Sequence, residues 1–396
     1  MPGYHVAAAF TRVTFGRMRR RTFLHTAAAA VGASACGHAS PPVATPADAG
    51  RDLASSLPIL RTPGLAAKGT VSGRPLLHLA GVRASGRADP IVPTTVFSAA
   101  SLTKPVFAMA VRQLVRGGRL EWRRPLQDYL PLGLTGPAAK ITAEHVLSHG
   151  TGLTNWRFDP AAALESRFEP GTRWRYSGEA YVLLQRVVEH VVGAPLGRHL
   201  NTIVLPSLGM TDSTFTWTPA IEQRSVTEHD AQAEPLERSA TSYAKQAYAV
   251  SENAGAPPDS LTYDQFMDTA TRAKLFAMPI AVAPNAAGSL WTTIGDYHAF
   301  IEHSIADTAA HPDEYTVRNR IEGAIGWALS WGVDTSLGAP AYFHWGDGPG
   351  VKNFTWWQPA TRTAIVIFTN SDHGASAYRY AFRHLLGIDP IAPEWV

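Results

Sequence analysis

The spacing of apolar positions changes period along the chain. Two short apolar runs at 65–70 and 75–82 flank Ser72-Gly73-Arg74, which predicts a β-hairpin. From Val106 the period becomes helical. Val106, Met109, Ala110 and Leu114 share a face, Gln113 interrupts it, and Gly117 ends the run. Pro105 suits the first turn of that helix, whose N–H groups lack intrahelical acceptors anyway. Residues 118–131 predict a loop with a short helix, and 141–149 a helix opened by Thr142. Residues 179–192 predict a long amphipathic helix, stopped by Gly193 and Pro195. Residues 220–285 are polar and Ala-rich with weak patterning, so an irregular insertion forming part of a lid is expected there. Strand-like runs return at 325–333, 341–345, 354–358 and 363–370, the last two joined across Pro359-Ala360-Thr361, and a helix over 375–386 follows.

Strands at both ends with helices between them predict an α/β (α+β) architecture. Residues 50–100 plus 320–396 would form a discontinuous α/β domain holding a mainly helical domain over 101–319. The 396 residues, 45% of them hydrophobic, are enough for one large core or two abutting subdomains.

The net charge of +3 owes much to Arg12, Arg17, Arg19, Arg20 and Arg21, in an opening stretch without an acid. The remainder is close to neutral, so the charge is no nucleic-acid footprint and no nucleic-acid partner is expected. Arg19-Arg20-Arg21-Thr22-Phe23-Leu24 precedes an Ala-rich apolar run that ends in Ala33-Ser34-Ala35, and residues 1–48 therefore read as an export signal and linker. The paired arginines followed by Phe-Leu resemble a twin-arginine signal, which implies a periplasmic or extracellular destination. Cys36, the only cysteine, directly follows Ala35 and so permits a lipid anchor, although Ala33 stands where such sites usually carry Leu. Plain cleavage after Ala35 reads equally well. One cysteine excludes an intrachain disulfide and a cysteine-based zinc site.

Chemistry concentrates at Ser101-Leu102-Thr103-Lys104. At the start of the helix around Val106, Ser101 and Lys104 lie three apart on one face. A serine hydroxyl is a weak nucleophile until a base takes its proton. A partly desolvated lysine one turn away can be that base, or can hold a neighbouring base as its anion. The helix N-terminus adds N–H groups where an oxyanion would form. Alone the pattern is weak, because a helix-start serine beside a solvated lysine is common. His145 and His149, four apart, have zinc-like spacing, but no Glu follows His145 and the segment reads as structural. No G-x-S-x-G elbow occurs, which argues against an α/β-hydrolase.

Four further stretches give Ser101 a context: Val146-Leu-Ser-His-Gly-Thr-Gly-Leu153, Tyr176-Ser177-Gly178, Leu205-Pro-Ser-Leu-Gly-Met210 and His344-Trp345-Gly346. In this order, with Ser101-Leu-Thr-Lys104, they resemble the serine β-lactamase and penicillin-binding-protein-like superfamily, in the branch of class C β-lactamases, family VIII esterases, D-aminopeptidases and DD-peptidases. The resemblance runs from about residue 65 to 386. It implies a β-lactamase/transpeptidase-like fold, an antiparallel sheet flanked by helices, and acyl-enzyme chemistry without a metal or cofactor. Ser101 would attack an ester or amide carbonyl. Lys104 and Tyr176 would share the proton work, with either as the formal base. The backbone N–H groups of Ser101 and Asp347 would form the oxyanion hole. His344 would complete the catalytic set, and Gly178, Trp345 and Gly346 would meet the substrate.

Two departures from the superfamily's pattern shape the expected substrate. The second motif commonly ends in Asn, whose amide contacts the substrate; Gly178 has no side chain. The third motif of β-lactamases usually begins with Lys, a permanent cation suited to the β-lactam carboxylate; His344 is expected to be neutral or cationic near pH 6–7. Both favour an ester or small peptide-like substrate. The expectation is an exported serine hydrolase, carboxylesterase-like, with a β-lactamase or a DD-carboxypeptidase/D-aminopeptidase as the alternative. A non-catalytic penicillin-binding sensor would have no use for Ser101, Lys104 and Tyr176 together. Trp156, Trp174 and Trp345 lie near the motifs and serve either an acyl pocket or core packing.

Overall fold

A computed structural model describes residues 53–157, 162–273 and 283–396; the expected export segment and Cys36 lie outside the described residues. In chain order the elements used below begin with β1 (Gly64–Val71), β2 (Arg74–Gly81), β3 (Val96–Ser98) and α1 (Thr103–Arg116). The helical region continues with α2 (Ala143–Leu147), α3 (Gly178–Val192), α4 (Ala240–Asn253) and α5 (Tyr263–Arg272), then β4 (Trp291–Thr293) and α6 (Ile294–Ala310). The chain returns to strands with β5 (Asn319–Glu322), β6 (Ile325–Trp327), β7 (Gly332–Asp334), β8 (Ala341–Gly348), β9 (Val351–Gln358) and β10 (Thr363–Thr369), before α7 (Gly374–Leu386) and α8 (Ala392–Trp395).

Eight strands form one antiparallel sheet in the order β2-β1-β10-β9-β8-β7-β6-β5. Thr363-Ala-Ile-Val-Ile-Phe-Thr369 is an interior strand, paired on both edges, and is apolar on both faces, as a strand covered on both sides must be. Ala364, Val366 and Phe368 face a core shared with α1, α3 and α6. Ile365 and Ile367 face the opposite core with Tyr378, Phe382 and Leu386 of α7. This period of two places the helical region on one face and α7 on the other. No helix among the described residues is long and apolar enough to cross a membrane.

Several expected elements differ in detail. The run at 325–333 is two strands, β6 and β7, because the chain turns at Ser330 with φ +67°. The helix expected over 141–149 stops at Leu147, so His145 and His149 do not share a helical face. His145 instead completes the cap of its own helix: its Nδ1 accepts the Thr142 N–H, and its own N–H donates to Thr142 Oγ1, both at 3.3 Å. The single apolar stripe expected on α1 is an underestimate: Thr103–Arg112 is buried on every side. Residues 220–285 are not irregular throughout. They hold α4 and α5, whose Val250, Tyr263 and Phe266 pack with Val182 of α3; residues 274–282 lie outside the described residues.

The start of α1 is anchored from several directions. Asn353 Nδ2 of β9 donates to Ser98 O at 2.9 Å, and Ala99 N–H donates to Leu290 O at 2.8 Å. Leu290 N–H donates to Thr103 Oγ1 at 3.0 Å, and the Tyr297 hydroxyl of α6 donates to Leu102 O at 2.9 Å. Ser101 therefore stands where the sheet, α1 and α6 meet.

Candidate active site

Ser101 lies in a single 3-10 turn, Ala100–Leu102, that runs directly into α1. Ala100 has φ +47°, a left-handed conformation that a residue with a side chain rarely adopts. The sharp reversal leaves Ser101 half exposed while its neighbours are buried. Lys104 follows in the first turn of α1, only 1% exposed. Its Nζ lies 2.9 Å from Ser101 Oγ and 2.8 Å from Ala287 O. Burial pushes the ammonium well below its ordinary pKa. A lysine so held gives up its proton far more readily than a solvated one, and when neutral it turns a lone pair to the Ser101 hydroxyl.

Tyr176 precedes the cap of α3. The cap is Ser177, whose Oγ accepts the Ala180 N–H at 3.1 Å and donates to Thr154 O at 2.7 Å. The Tyr176 ring centroid is 5.0 Å from Lys104 Nζ. Its hydroxyl is buried close to Ser101 and makes no hydrogen bond of ordinary geometry among the described residues. Burial raises its pKa, and Ser101 offsets part of the rise, so the phenol is neutral at rest. Burial thus disfavours the charged form of each candidate base, the ammonium of Lys104 and the phenolate of Tyr176.

The third motif, His344-Trp345-Gly346, lies on β8. A Cβ at Gly346 would sit 2.4 Å from Ala99 O, so only glycine lets the strand approach the Ser101 turn this closely. A Cβ at Gly348 would sit 3.3 Å from Ala100 Cβ. Asp347 lies between these contacts, which runs its backbone alongside Ser101. Its exposed carboxylate pairs with Lys352 Nζ at 2.8 Å. Pro349 and Gly350 then make the tight turn between β8 and β9.

His344 corrects an expectation. It is fully buried, and desolvation together with the nearby Lys104 lowers its pKa to about 3. The imidazole is therefore neutral, not a titrating cation near pH 6–7. Its Nδ1 lies 2.8 Å from Trp345 O, which can only accept, so Nδ1 carries the proton and Nε2 presents a lone pair. Nε2 has no partner among the described residues.

Gly178 also acquires a reason. A Cβ there would lie 2.1 Å from Cζ2 of Trp156, so the indole fills the space a side chain would need. Trp156 is fixed from both flanks. Gly178 N–H donates to Asn155 Oδ1 at 2.8 Å, and Arg157 Nε donates to Glu179 Oε1 at 2.9 Å. Trp174 and Trp345 join the aromatic group around Tyr176, with ring centroids 6.4 and 5.2 Å away.

Three members of that group carried no usable sequence signal. His149 packs its ring 4.2 Å from that of Tyr176. Trp327 stands 5.1 Å from His149 and 5.5 Å from His344. Trp395, next to the C-terminal residue, packs between Trp174 and Trp345 at 5.8 and 5.9 Å. Of the three, only His149 is marked in the sequence, by its spacing from His145, which predicts a helix that ends too early, and by its place in Val146–Leu153, which assigns it no role beside Tyr176.

The site thus pairs a serine with a buried lysine, next to a neutral phenol and a glycine-enabled strand. Residues 51–388 match the sequence profile of the beta-lactamase family. The chain belongs to the beta-lactamase family, whose members are serine hydrolases. Among curated relatives of this beta-lactamase-family chain, esterase EstB of Burkholderia gladioli is 32% identical over 178 residues, 37% of this chain and 45% of that protein. Penicillin-binding protein 4* of Bacillus subtilis is 28% identical over 144 residues, 31% of each. The aligned parts span less than half the length of either relative. Among solved structures, a class C beta-lactamase superposes with TM-score 0.68 at 17% identity, covering 87% of this chain and 98% of that one. D-alanine carboxypeptidase AmpC from Burkholderia cenocepacia superposes with TM-score 0.64 at 17% identity, covering 84% and 97%. These likenesses establish the β-lactamase/transpeptidase-like fold.

Proposed function

We propose that the chain is a serine hydrolase of neutral carboxylic esters, working through an acyl-enzyme on Ser101. The observation that carries the chemistry is the 2.9 Å approach of buried Lys104 Nζ to Ser101 Oγ. Ser101 Oγ bonds to the carbonyl carbon as its proton passes to Lys104 Nζ, and the carbonyl π pair moves onto oxygen. That oxyanion accepts hydrogen bonds from the backbone N–H groups of Ser101 and Asp347, each worth on the order of 10² to 10³ in rate. Collapse breaks the bond to the leaving alkoxide, which takes a proton from Lys104 directly or through the Tyr176 hydroxyl. Water then attacks the acyl carbonyl by the same route in reverse and frees the acid and Ser101.

The substrate reading rests on His344 and Gly178. Where β-lactamases usually carry a cation, this site holds a fully buried neutral imidazole, which offers a carboxylate no positive charge. Where they carry an amide, Trp156 occupies the space. The partial likeness to esterase EstB agrees with this reading. The deciding experiment compares turnover of a short-chain p-nitrophenyl ester, a chromogenic cephalosporin and a D-alanyl-D-alanine peptide, with Ser101→Ala as the blank. Ester turnover lost in Ser101→Ala, with little cephalosporin or peptide turnover, is expected. Fast cephalosporin hydrolysis would assign a β-lactamase instead, and peptide turnover alone a carboxypeptidase.

We also propose export through Arg19-Arg20-Arg21-Thr22-Phe23-Leu24, with processing near Ala35 and Cys36. Mass spectrometry of the chain from its native host reads the mature N-terminus and any lipid on Cys36. Unprocessed chain confined to the cytoplasm would contradict export.

A further inference from the structure

We propose that His149 holds Tyr176 in place beside Ser101 and Lys104, acting as a positioning residue for the acyl transfer; the proposal rests on the functional reading above. His149 is fully buried and grips the Tyr176 segment from both sides. Its carbonyl accepts the Arg175 N–H at 2.7 Å, and its Nδ1 accepts the Ser177 N–H at 3.2 Å. Between those two anchors its ring lies 4.2 Å from the Tyr176 ring, inclined by 34°. No other ring contact to Tyr176 among the described residues is as close: Trp345 is at 5.2 Å, His344 and Trp327 at 6.3 Å, and Trp174 at 6.4 Å. Apart from its interaction with Ser101, the Tyr176 hydroxyl has no hydrogen-bond partner among the described residues, so the phenol ring takes its position largely from this packing and from its flanking backbone.

The local chain is bent to deliver the imidazole. His149 has φ +54°, in the sparsely populated left-handed region. Three contacts fix the surrounding turn. Gly150 N–H donates to His145 O at 2.7 Å, Asn319 Nδ2 donates to Ser148 O at 2.9 Å, and Ser330 N–H donates to Leu147 O at 2.7 Å. Strained backbone persists where its surroundings over-determine it, and such positions cluster at functional sites. Since Nδ1 accepts, the neutral ring carries its proton on Nε2, which has no partner among the described residues. The imidazole is oriented by the backbone of the very segment it supports.

The test uses His149→Gly, which removes the ring and suits the positive φ, and His149→Asn, which retains a side-chain acceptor and tolerates that φ. Each is made alone and with Tyr176→Phe, and each is checked for a cooperative melt. Ester kcat and KM are measured, together with the rate at which a fluorophosphonate labels Ser101. His149→Gly is expected to lower kcat on the order of 10²-fold with KM changed less than about threefold. His149→Asn should recover about a tenfold part of that loss, and neither change should add a loss in the Tyr176→Phe background. If His149→Gly does not fold, the smaller loss in His149→Asn and its disappearance with Tyr176→Phe carry the same test. An equal loss in both backgrounds, a loss confined to KM, or unchanged kcat in a folded His149→Gly would overturn the proposal. The labelling rate separates the two readings. Slow labelling of His149→Gly beside a wild type without ester turnover upholds the positioning role and overturns the esterase. Wild-type turnover with unchanged labelling and kcat in His149→Gly does the reverse.

Discussion

At His229 both ring nitrogens are engaged. Nδ1–H donates to Asn370 O at 2.8 Å, and Nε2 accepts the Ser85 N–H at 3.0 Å, which ties residues around 229 to the end of β10 and to the loop after β2. Beside Ser101, two equally buried histidines are arranged differently. His149 and His344 each use Nδ1 on the backbone and leave Nε2 without a partner among the described residues. The indole N–H groups of Trp174 and Trp327 share that condition, and the Tyr176 hydroxyl has only Ser101 beside it. Burying a polar group without a hydrogen bond costs free energy, on the order of 1–3 kcal/mol in proteins. At His229 the fold avoids that cost. Around Tyr176 several such groups lie together against the proposed nucleophile, while others, such as the indole N–H groups of Trp331, Trp356 and Trp357, are scattered through the cores. A saturated buried histidine acts as a clamp, whereas a half-saturated cluster is preorganised for a group that arrives later.

Substitutions test the contrast, beginning with the largest effect. Lys104→Met keeps an unbranched buried chain but removes the amine. Ester turnover should fall by about 10³-fold or more, read as kcat, while the melt stays cooperative. His229→Leu should leave kcat unchanged and lower unfolding free energy by about 1–3 kcal/mol in urea titration, because Ser85 N–H and Asn370 O lose their partner. A comparable fall in kcat at His229 would break the comparison.

Gly178→Asn comes next. Its side chain meets the Trp156 indole, so about 1–3 kcal/mol of stability should be lost by the same titration. Adding Trp156→Ala should restore part of that and open room for the amide. If Gly178→Asn is neutral alone, Trp156 is not the reason for the glycine.

The last test concerns pH, where the effect per pH unit is small. His344 has a pKa of about 3 in the folded chain against an ordinary 6.5, so between those values the unfolded chain binds more protons. Its contribution to stability is complete above about pH 6.5 and is lost as pH falls towards 3. His149 acts in the same direction. His344→Gln should flatten the fall in stability between pH 6 and 4, by at most about 1.4 kcal/mol per pH unit. An unchanged slope would show that His344 titrates normally and would weaken its contrast with a permanent cation.

What could be read from sequence was what is local in sequence. Ser101 and Lys104 are three residues apart at a helix start, and one turn of α1 brings them together. The β1–β2 and β9–β10 hairpins announce themselves as short apolar runs on either side of turn residues. The character of the site was less legible because it depends on segments remote in the chain. The glycine at 178 reads as a missing amide until Trp156, 22 residues earlier, is seen in its place. His344 looks titratable until β9 and the aromatic residues bury it. His149 looks helical because its left-handed turn is enforced by Asn319 and Ser330, which lie on or near strands far along the chain. In residues 220–285, α4 buries only Val250 and Ser251, too little to mark a helical face.

The most direct test of the central claim is rapid mixing of the chain with a p-nitrophenyl ester, with acid quench and peptide mapping of the acyl group. A burst of one p-nitrophenol per chain, with the acyl group on Ser101 and no burst in Ser101→Ala, is the predicted result. Steady turnover without a burst that survives in Ser101→Ala, or an acyl group mapped to another residue, would contradict the account.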